Sequence, residues 1–229
     1  MSKSLYIAEK PSVAQEFANA LKINGRRSDG YIESEQAIVT WCVGHLVTMS
    51  YPECYDPKYK RWSLETLPFL PKEFKYEVIP SVEKQFKIVS GLLNRPDVDT
   101  IYVCTDSGRE GEYIYRLVAQ MADVKDKAQK RVWIDSQTEE EILRGIREAK
   151  DETEYDNLSA SAYLRAKEDY LMGINFSRLL TLKYGQNISN YLRTGKNTVI
   201  SVGRVMTCVM GMVIRREREI RDFVKTPFY

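Results

Sequence analysis

Ile101-Tyr-Val-Cys-Thr-Asp-Ser-Gly-Arg-Glu-Gly-Glu112 is the stretch on which the reading of this chain turns. Residues 100–105 are β-branched and apolar, as a buried parallel strand requires, and Gly111-Glu-Tyr-Ile-Tyr-Arg-Leu-Val-Ala119 has the spacing of an amphipathic helix. Asp106, Glu110 and Glu112 therefore fall in a strand-to-helix turn, at the carboxyl end of the strand, the edge where open α/β sheets bind ligands. Oxygen donors grouped this way suit a hard divalent cation such as magnesium. The same residues also suit a helix start, with Asp106 or Ser107 as the cap and the glutamates complementing the helix dipole. On this stretch alone both readings stand.

A second acid lies in a similar setting. Leu5-Tyr-Ile-Ala-Glu-Lys-Pro-Ser12 is a short apolar strand ending at Glu9, with Lys10 beside it and a helix beginning about Pro11. The two acidic strand ends meet at one edge if their strands are neighbours. The pairing of Glu-Lys-Pro-Ser with a later Thr-Asp-x-x-Arg-Glu-Gly-Glu resembles the Toprim domain of type IA DNA topoisomerases, most closely the topoisomerase III group. Three further segments, in the same order, are similar to that family: Val43-Gly-His-Leu46; Arg165-Ala-x-x-Asp169 with Gly173-Ile-Asn-Phe-Ser-Arg178; and Ser201-Val-Gly-Arg-Val205.

The resemblance implies an α/β fold, with a Toprim-type, mostly parallel sheet flanked by helices over 1–152 and part of a mainly helical DNA-binding domain over 153–229. It implies an isomerase that cuts and rejoins one DNA strand through a 5′-phosphotyrosine. Glu9 and Lys10 match the catalytic pair, Glu9 moving a proton to the leaving 3′ oxygen and Lys10 stabilising the phosphoryl oxygens. Asp106 and Glu110 match acids that hold Mg2+, with Glu112 and Glu9 as further ligands. Arg109, Arg165, Arg178 and Arg204 match contacts to single-stranded DNA, and His45, the only histidine, takes a supporting hydrogen-bond role. A helicase partner is expected for the parent enzyme, with the chain itself a monomer.

The sequence departs from the family pattern in three places. Gly108 stands where many relatives have the middle acid of Asp-x-Asp-x-Glu. Met206 and Cys208-Val-Met210 replace the glutamine and Pro-Thr-Leu that usually follow Gly-Arg-Val. The nucleophilic tyrosine has no counterpart, because none of the 15 tyrosines sits in a Tyr-Pro-Arg-Thr-like setting. The expectation is an amino-terminal fragment that is inactive in relaxation by itself. Two other classes remain open on sequence: a freestanding Toprim nuclease or primase-like enzyme, and a non-catalytic single-stranded DNA-binding module.

Outside the motifs, 229 residues exceed the usual single-domain size, and 43% hydrophobic with 29% charged residues argues against disorder. No apolar run is long enough to cross a bilayer and the first residues carry no secretory pattern, so a cytoplasmic location is expected. Four scattered cysteines form no metal-binding pairs. The net charge of +2 is segregated: residues 160–229 hold 12 Lys and Arg against 5 Asp and Glu, or +7, which leaves −5 for residues 1–159. A basic half beside an acidic one suits a nucleic-acid grip next to phosphate chemistry. Between them, apolar spacing predicts helices from Val13 to Leu21, from Ser81 to Leu93, to Met121 and from Thr138, and strands over 36–43, 74–79 and 131–134. Arg26–Gly30 reads as a turn, the proline- and aromatic-rich Tyr51–Pro80 as a packed excursion, and Tyr184–Asn197 as a polar loop.

Overall fold

The computed structural model describes residues 2–227. By compactness the chain forms two units, one comprising the residues up to Ser50 with Phe74–Leu164, the other Tyr51–Glu73 with the residues from Arg165 onward. The sequence places a boundary at 152/153. In the structure the division falls twelve residues later, inside a helix, and the Tyr51–Glu73 excursion groups with the later residues.

In the first unit the chain runs β1 (Lys3–Ala8), α1 (Pro11–Ala20), β2 (Arg26–Ser28), β3 (Tyr31–Glu33), β4 (Ala37–Trp41), β5 (Val47–Met49), β6 (Tyr76–Val78), α2 (Glu83–Leu93), β7 (Val98–Cys104), α3 (Arg109–Met121), β8 (Ala128–Arg131), α4 (Glu139–Arg147) and β9 (Lys150–Asp151). Seven strands form one sheet in the order β2-β3-β4-β1-β7-β8-β9. The central four, β4, β1, β7 and β8, are parallel, and antiparallel pairs close both edges. β5 and β6 make a separate antiparallel pair.

Local chemistry explains the elements. Pro11 opens α1, where its missing N–H goes unused, and Thr138 caps α4 ahead of three glutamates in its first turn. Along β1 the side chains alternate: Tyr6 and Ala8 join Val13, Phe17 and Ile142 in the core beneath α1 and α4, so Leu5 and Ile7 point to the opposite face. There α2 packs on β7 and on α3. Sequence and structure differ at three elements. The strand expected at 131–134 is Ala128–Arg131: Arg131 is the last paired residue, Val132 keeps one bond to the Val103 carbonyl, and Ile134 turns onto the Ser107 hydroxyl of the acid-bearing turn. Arg26–Ser28, expected as a turn, pairs with β3 as an edge strand. Tyr184–Leu192, expected as loop, is helical.

The second unit holds most of α5 (Asp156–Leu192) and α6 (Arg204–Arg221). Its Tyr51–Glu73 excursion is ordered around buried Phe69, whose ring meets Tyr55, Tyr59 and Tyr170 edge-on. Asn175 of α5 accepts from the Phe69 N–H (2.6 Å) and donates to its carbonyl (2.9 Å). After α5 the chain turns back along it, with Thr181 accepting from the Ile200 N–H and Ser177 from the Val202 N–H. No helix among the described residues is long and apolar enough to cross a membrane.

Candidate active site

The sheet topology selects one spot on the first unit. From β1 the chain crosses through α1 outward to β4; it then passes to β7 and β8 on the other side of β1. With right-handed crossovers, the helices after β1 and β7 lie on opposite faces, and a crevice opens at the carboxyl ends of these two neighbouring strands. Ala8 is in register with Cys104. Glu9 therefore leaves β1 beside the turn that begins at Thr105. The 90-odd residues between the two acidic motifs are closed by one strand pairing.

Glu9 is buried, and its Oε2 has no hydrogen-bond partner. Lys10 Nζ, exposed, lies 3.4 Å from Glu9 Oε1. A buried carboxylate oxygen without a partner is costly unless something occupies it in the working state. Burial and, second, the Glu9 carboxylate push the Cys42 thiol up to about 12, so Cys42 is an inert neighbour. The Cys42 N–H bonds to the Ala8 carbonyl and the Gly44 N–H to the Glu9 carbonyl, which carries the β4 strand past the end of β1. Gly44, at φ +80°, then turns the chain. That turn delivers His45, whose Nε2 sits 2.6 Å from Glu110 Oε1.

The central turn is built tightly. Thr105, buried, donates its hydroxyl to the Gly111 carbonyl (2.8 Å), and Ser107 Oγ donates to the Ile134 carbonyl while accepting from its N–H. A Cβ on Gly111 would lie 2.1 Å from the Asp106 carbonyl oxygen, so only glycine lets the Asp106 peptide rest on the first turn of α3. Asp106, Arg109 and Glu110 are exposed at the rim.

Glu112 is a correction to the sequence-based ligand set. Its side chain is wholly buried and points away from the rim, with Oε1 2.8 Å from Arg116 Nε and Oε2 3.1 Å from Arg131 Nε. Arg116 goes on to Glu152 (3.2 Å) and Asp156 (2.9 Å). Burial, and then the Glu112 charge, push the Glu152 carboxyl up to about 8. Sequence reasoning passed over Arg131, Arg116, Glu152 and Gly111. An arginine inside a strand, and a glycine in the first turn of a helix, where it is unfavourable by about 1 kcal/mol against alanine, are the signals that pointed to two of them.

Glu9, Asp106 and Glu110 thus remain as hard oxygen donors near one sheet edge, and the orphaned Glu9 oxygen fits a cationic or protonic partner. Among the described residues no group of three or more His, Cys, Asp or Glu side chains is arranged to hold a metal ion. Magnesium keeps part of its water shell and is commonly bound by one or two carboxylates together with substrate phosphate, a donor chemistry that the exposed Asp106 and Glu110 carboxylates match. Gly108, in the place of a further acid, has extended backbone and open space around its Cβ position.

In the second unit, Arg178 is buried: it donates to the Tyr59 carbonyl (2.9 Å), stacks 5.3 Å from the Trp62 ring centre and lies 4.0 Å from Glu53. It pins the excursion to α5 and does not face solvent, which corrects its expected role in a groove. Lys58 and Trp62 belong to the same packed excursion. Arg204 forms a bidentate pair with Asp169 (3.0 and 2.9 Å) and is half-exposed, and Arg165 is partly exposed.

Two family models match the chain. Residues 4–136 match the Toprim domain model and residues 153–229 match the family model described as DNA topoisomerase. The whole chain is 41% identical to DNA topoisomerase 3 of Bacillus subtilis (strain 168) and 43% identical to that of Bacillus cereus (strain ATCC 10987 / NRS 248). Over 227 residues, 99% of the chain, it is 43% identical to DNA topoisomerase 3 of Staphylococcus epidermidis. In each case it spans about 30% of the relative's length.

Proposed function

Because the chain belongs to the Toprim domain family, we propose that it is the metal-assisted part of a type IA DNA topoisomerase of the topoisomerase 3 kind, working with a nucleophilic tyrosine from outside these 229 residues. The observation that carries this reading is the adjacency of β1 and β7 at the crossover reversal, with Glu9 buried and half unpartnered next to the Asp106 turn. In the reaction, a tyrosine hydroxyl gives up its proton as its oxygen bonds to a backbone phosphorus, the bond from phosphorus to the 3′ oxygen breaks, and that oxygen takes a proton, so the transfer is proton-neutral overall. Glu9, at the inner end of the site, is the group to hold and transfer that proton. Lys10 presents its ammonium to the phosphoryl oxygens as charge develops on them. Asp106 and Glu110 would hold magnesium, which supplies charge neutralisation and a fixed seat for the phosphate. His45 orients the Glu110 carboxylate for that task. Strand rejoining reverses each step.

The DNA is single-stranded where it is cut, and the +7 charge of residues 160–229 supports its attraction. Arg109, Arg165 and Arg204, exposed or partly exposed, are the cations that this reading assigns to it. Titration of the chain with MgCl2, followed by calorimetry, tests the site: binding is expected in the wild type and is expected to be lost in Asp106→Asn. Oligonucleotide incubation tests the division of labour. The chain alone is expected to bind single-stranded DNA without forming a covalent adduct, and the adduct is expected once the tyrosine-bearing remainder is joined. A covalent adduct with these 229 residues alone would refute the proposal, and magnesium-dependent nicking that leaves a free terminal phosphate would assign a hydrolytic nuclease instead.

A further inference from the structure

Among the described residues the largest fully buried side chain is a charged one, Arg131, and its place beneath the acid-bearing turn has no part in the mechanism above. Its Nη1 donates to the carbonyls of Thr105 (2.8 Å), Val103 (3.1 Å) and Val132 (3.3 Å), its Nη2 donates to the carbonyl of Asp106 (2.6 Å), and its Nε faces Glu112 at 3.1 Å. Its plane also lies against Trp133, 5.4 Å from the ring centre. We propose that Arg131 is the positioning residue of the metal-binding turn: one guanidinium collects the carbonyls of β7 and of the turn that follows it, and so fixes the direction in which the Asp106 carboxylate leaves the sheet. This rests on Asp106 being the metal acid.

The geometry excludes a simpler account in which Arg131 only neutralises Glu112. Arg116 already meets the other Glu112 oxygen at 2.8 Å, and a single lysine ammonium in place of Arg131 would suffice for the second. Four carbonyls on two backbone stretches, Val103–Asp106 and Val132, need the fixed fork of a guanidinium. Without it, the carbonyls of Thr105 and Asp106 would lose a charged donor at the point where β7 has left its ladder, with the chain free to turn them toward water. The Asp106 peptide also rests on Gly111, so Arg131 and Gly111 together set the peptide from which one carboxylate leaves.

The test uses the full chain with Arg131→Lys, Arg131→Met and a control, Leu93→Ala, which removes buried core of the same unit on α2. Two quantities are read at a temperature where circular dichroism shows all four proteins folded. The first is amide exchange in the metal-free state at residues 106–111. Arg131→Met is expected to speed it at least about tenfold relative to exchange in α2, Arg131→Lys less, and Leu93→Ala not selectively. The second is magnesium affinity, expected to fall by about 10- to 100-fold in Arg131→Met, the range for residues that orient metal ligands, and to stay within about twofold in Leu93→Ala. Turn exchange in Arg131→Met that only follows the loss of global stability, as in the control, would overturn the proposal. If the turn loosens selectively but neither the wild type nor any variant binds magnesium, the positioning role of Arg131 stands and the metal reading of Asp106 fails.

Discussion

Gly111→Ala is a one-carbon test of how the turn is built. Alanine is ordinarily preferred to glycine inside a helix by about 1 kcal/mol, and Gly91, in α2, has nothing within 4 Å of its Cβ position. Gly91→Ala is therefore expected to stabilise the chain by about 0.5 to 1 kcal/mol. At Gly111 the same carbon would sit 2.1 Å from the Asp106 carbonyl oxygen, 2.8 Å from its nitrogen and 2.9 Å from its carbonyl carbon. All three are backbone atoms, clamped by the Thr105 hydroxyl bond to Gly111 and the Arg131 bond to Asp106, so no side chain can swing aside. Relief needs a backbone shift on the order of 1 Å, and overpacking of this kind costs typically about 1 to 3 kcal/mol. The rigid surroundings put it at the upper end. Set against the helix preference, the net loss is about 2 kcal/mol, which at a urea dependence of about 2 kcal/mol per molar lowers the unfolding midpoint by about 1 M. The pair of variants is compared by urea unfolding. If Gly111→Ala stabilises as Gly91→Ala does, the turn is not packed as described and its glycine serves only to start the helix.

Three further outcomes follow from the same contacts. Glu152, whose folded pKa of about 8 lies above its ordinary 4.5, contributes stability that is complete below about pH 4.5 and is lost as pH rises through about 8. Glu152→Gln should flatten the fall in stability across that window, and a stability difference from wild type that does not change with pH would contradict the raised pKa. Gly108→Asp should tighten magnesium binding, since the backbone there is extended, the Cβ position is open, and aspartate is a good helix cap; calorimetry that finds no gain would show that the missing acid does not limit the site. Arg178→Ala removes a cation stacked on Trp62 and leaves the Tyr59 carbonyl unpaired, a loss of about 2 to 4 kcal/mol. Limited proteolysis should then cut first within Tyr51–Glu73, and an unchanged cleavage pattern would mean that Phe69 and Asn175 hold that segment without Arg178.

What could be read in the sequence was set by periodicity and by residues whose chemistry is local. The helix over Arg109–Met121 and the capped start at Thr138 follow from apolar spacing and from side chains that act within one turn, and both lie where the spacing puts them. The parallel center of the sheet follows from alternating strand and helix. Edge strands were not legible in the same way: Arg26–Ser28 has no apolar pattern, and its strand form comes only from pairing with Tyr31–Glu33. The end of α5 was masked likewise, since Tyr184–Leu192 is polar and stays helical through bonds that a later segment makes back to it, such as Ser189 to Thr194 (2.8 Å).

The site shows the same limit more sharply. Glu9, Lys10, Asp106, Glu110 and His45 could be named because their short motifs resemble those of the Toprim family; the residues alone left a helix-start reading open. Glu112 and Glu110 look alike in sequence, two residues apart at the start of one helix, and helical geometry separates them by about 200°, so one faces the rim and the other the interior. Glu112 is then committed to Arg116 and Arg131, and a carboxylate held between two guanidiniums has little left to offer a cation. Arg178 is the matching case in the second unit: its place in the motif suggested an exposed contact, and only the approach of Tyr59 and Trp62, more than 110 positions earlier in the chain, reveals that its charge is used inside. Motif spacing therefore identifies which residues meet at the turn, while long-range partners decide which of them remain available to a ligand.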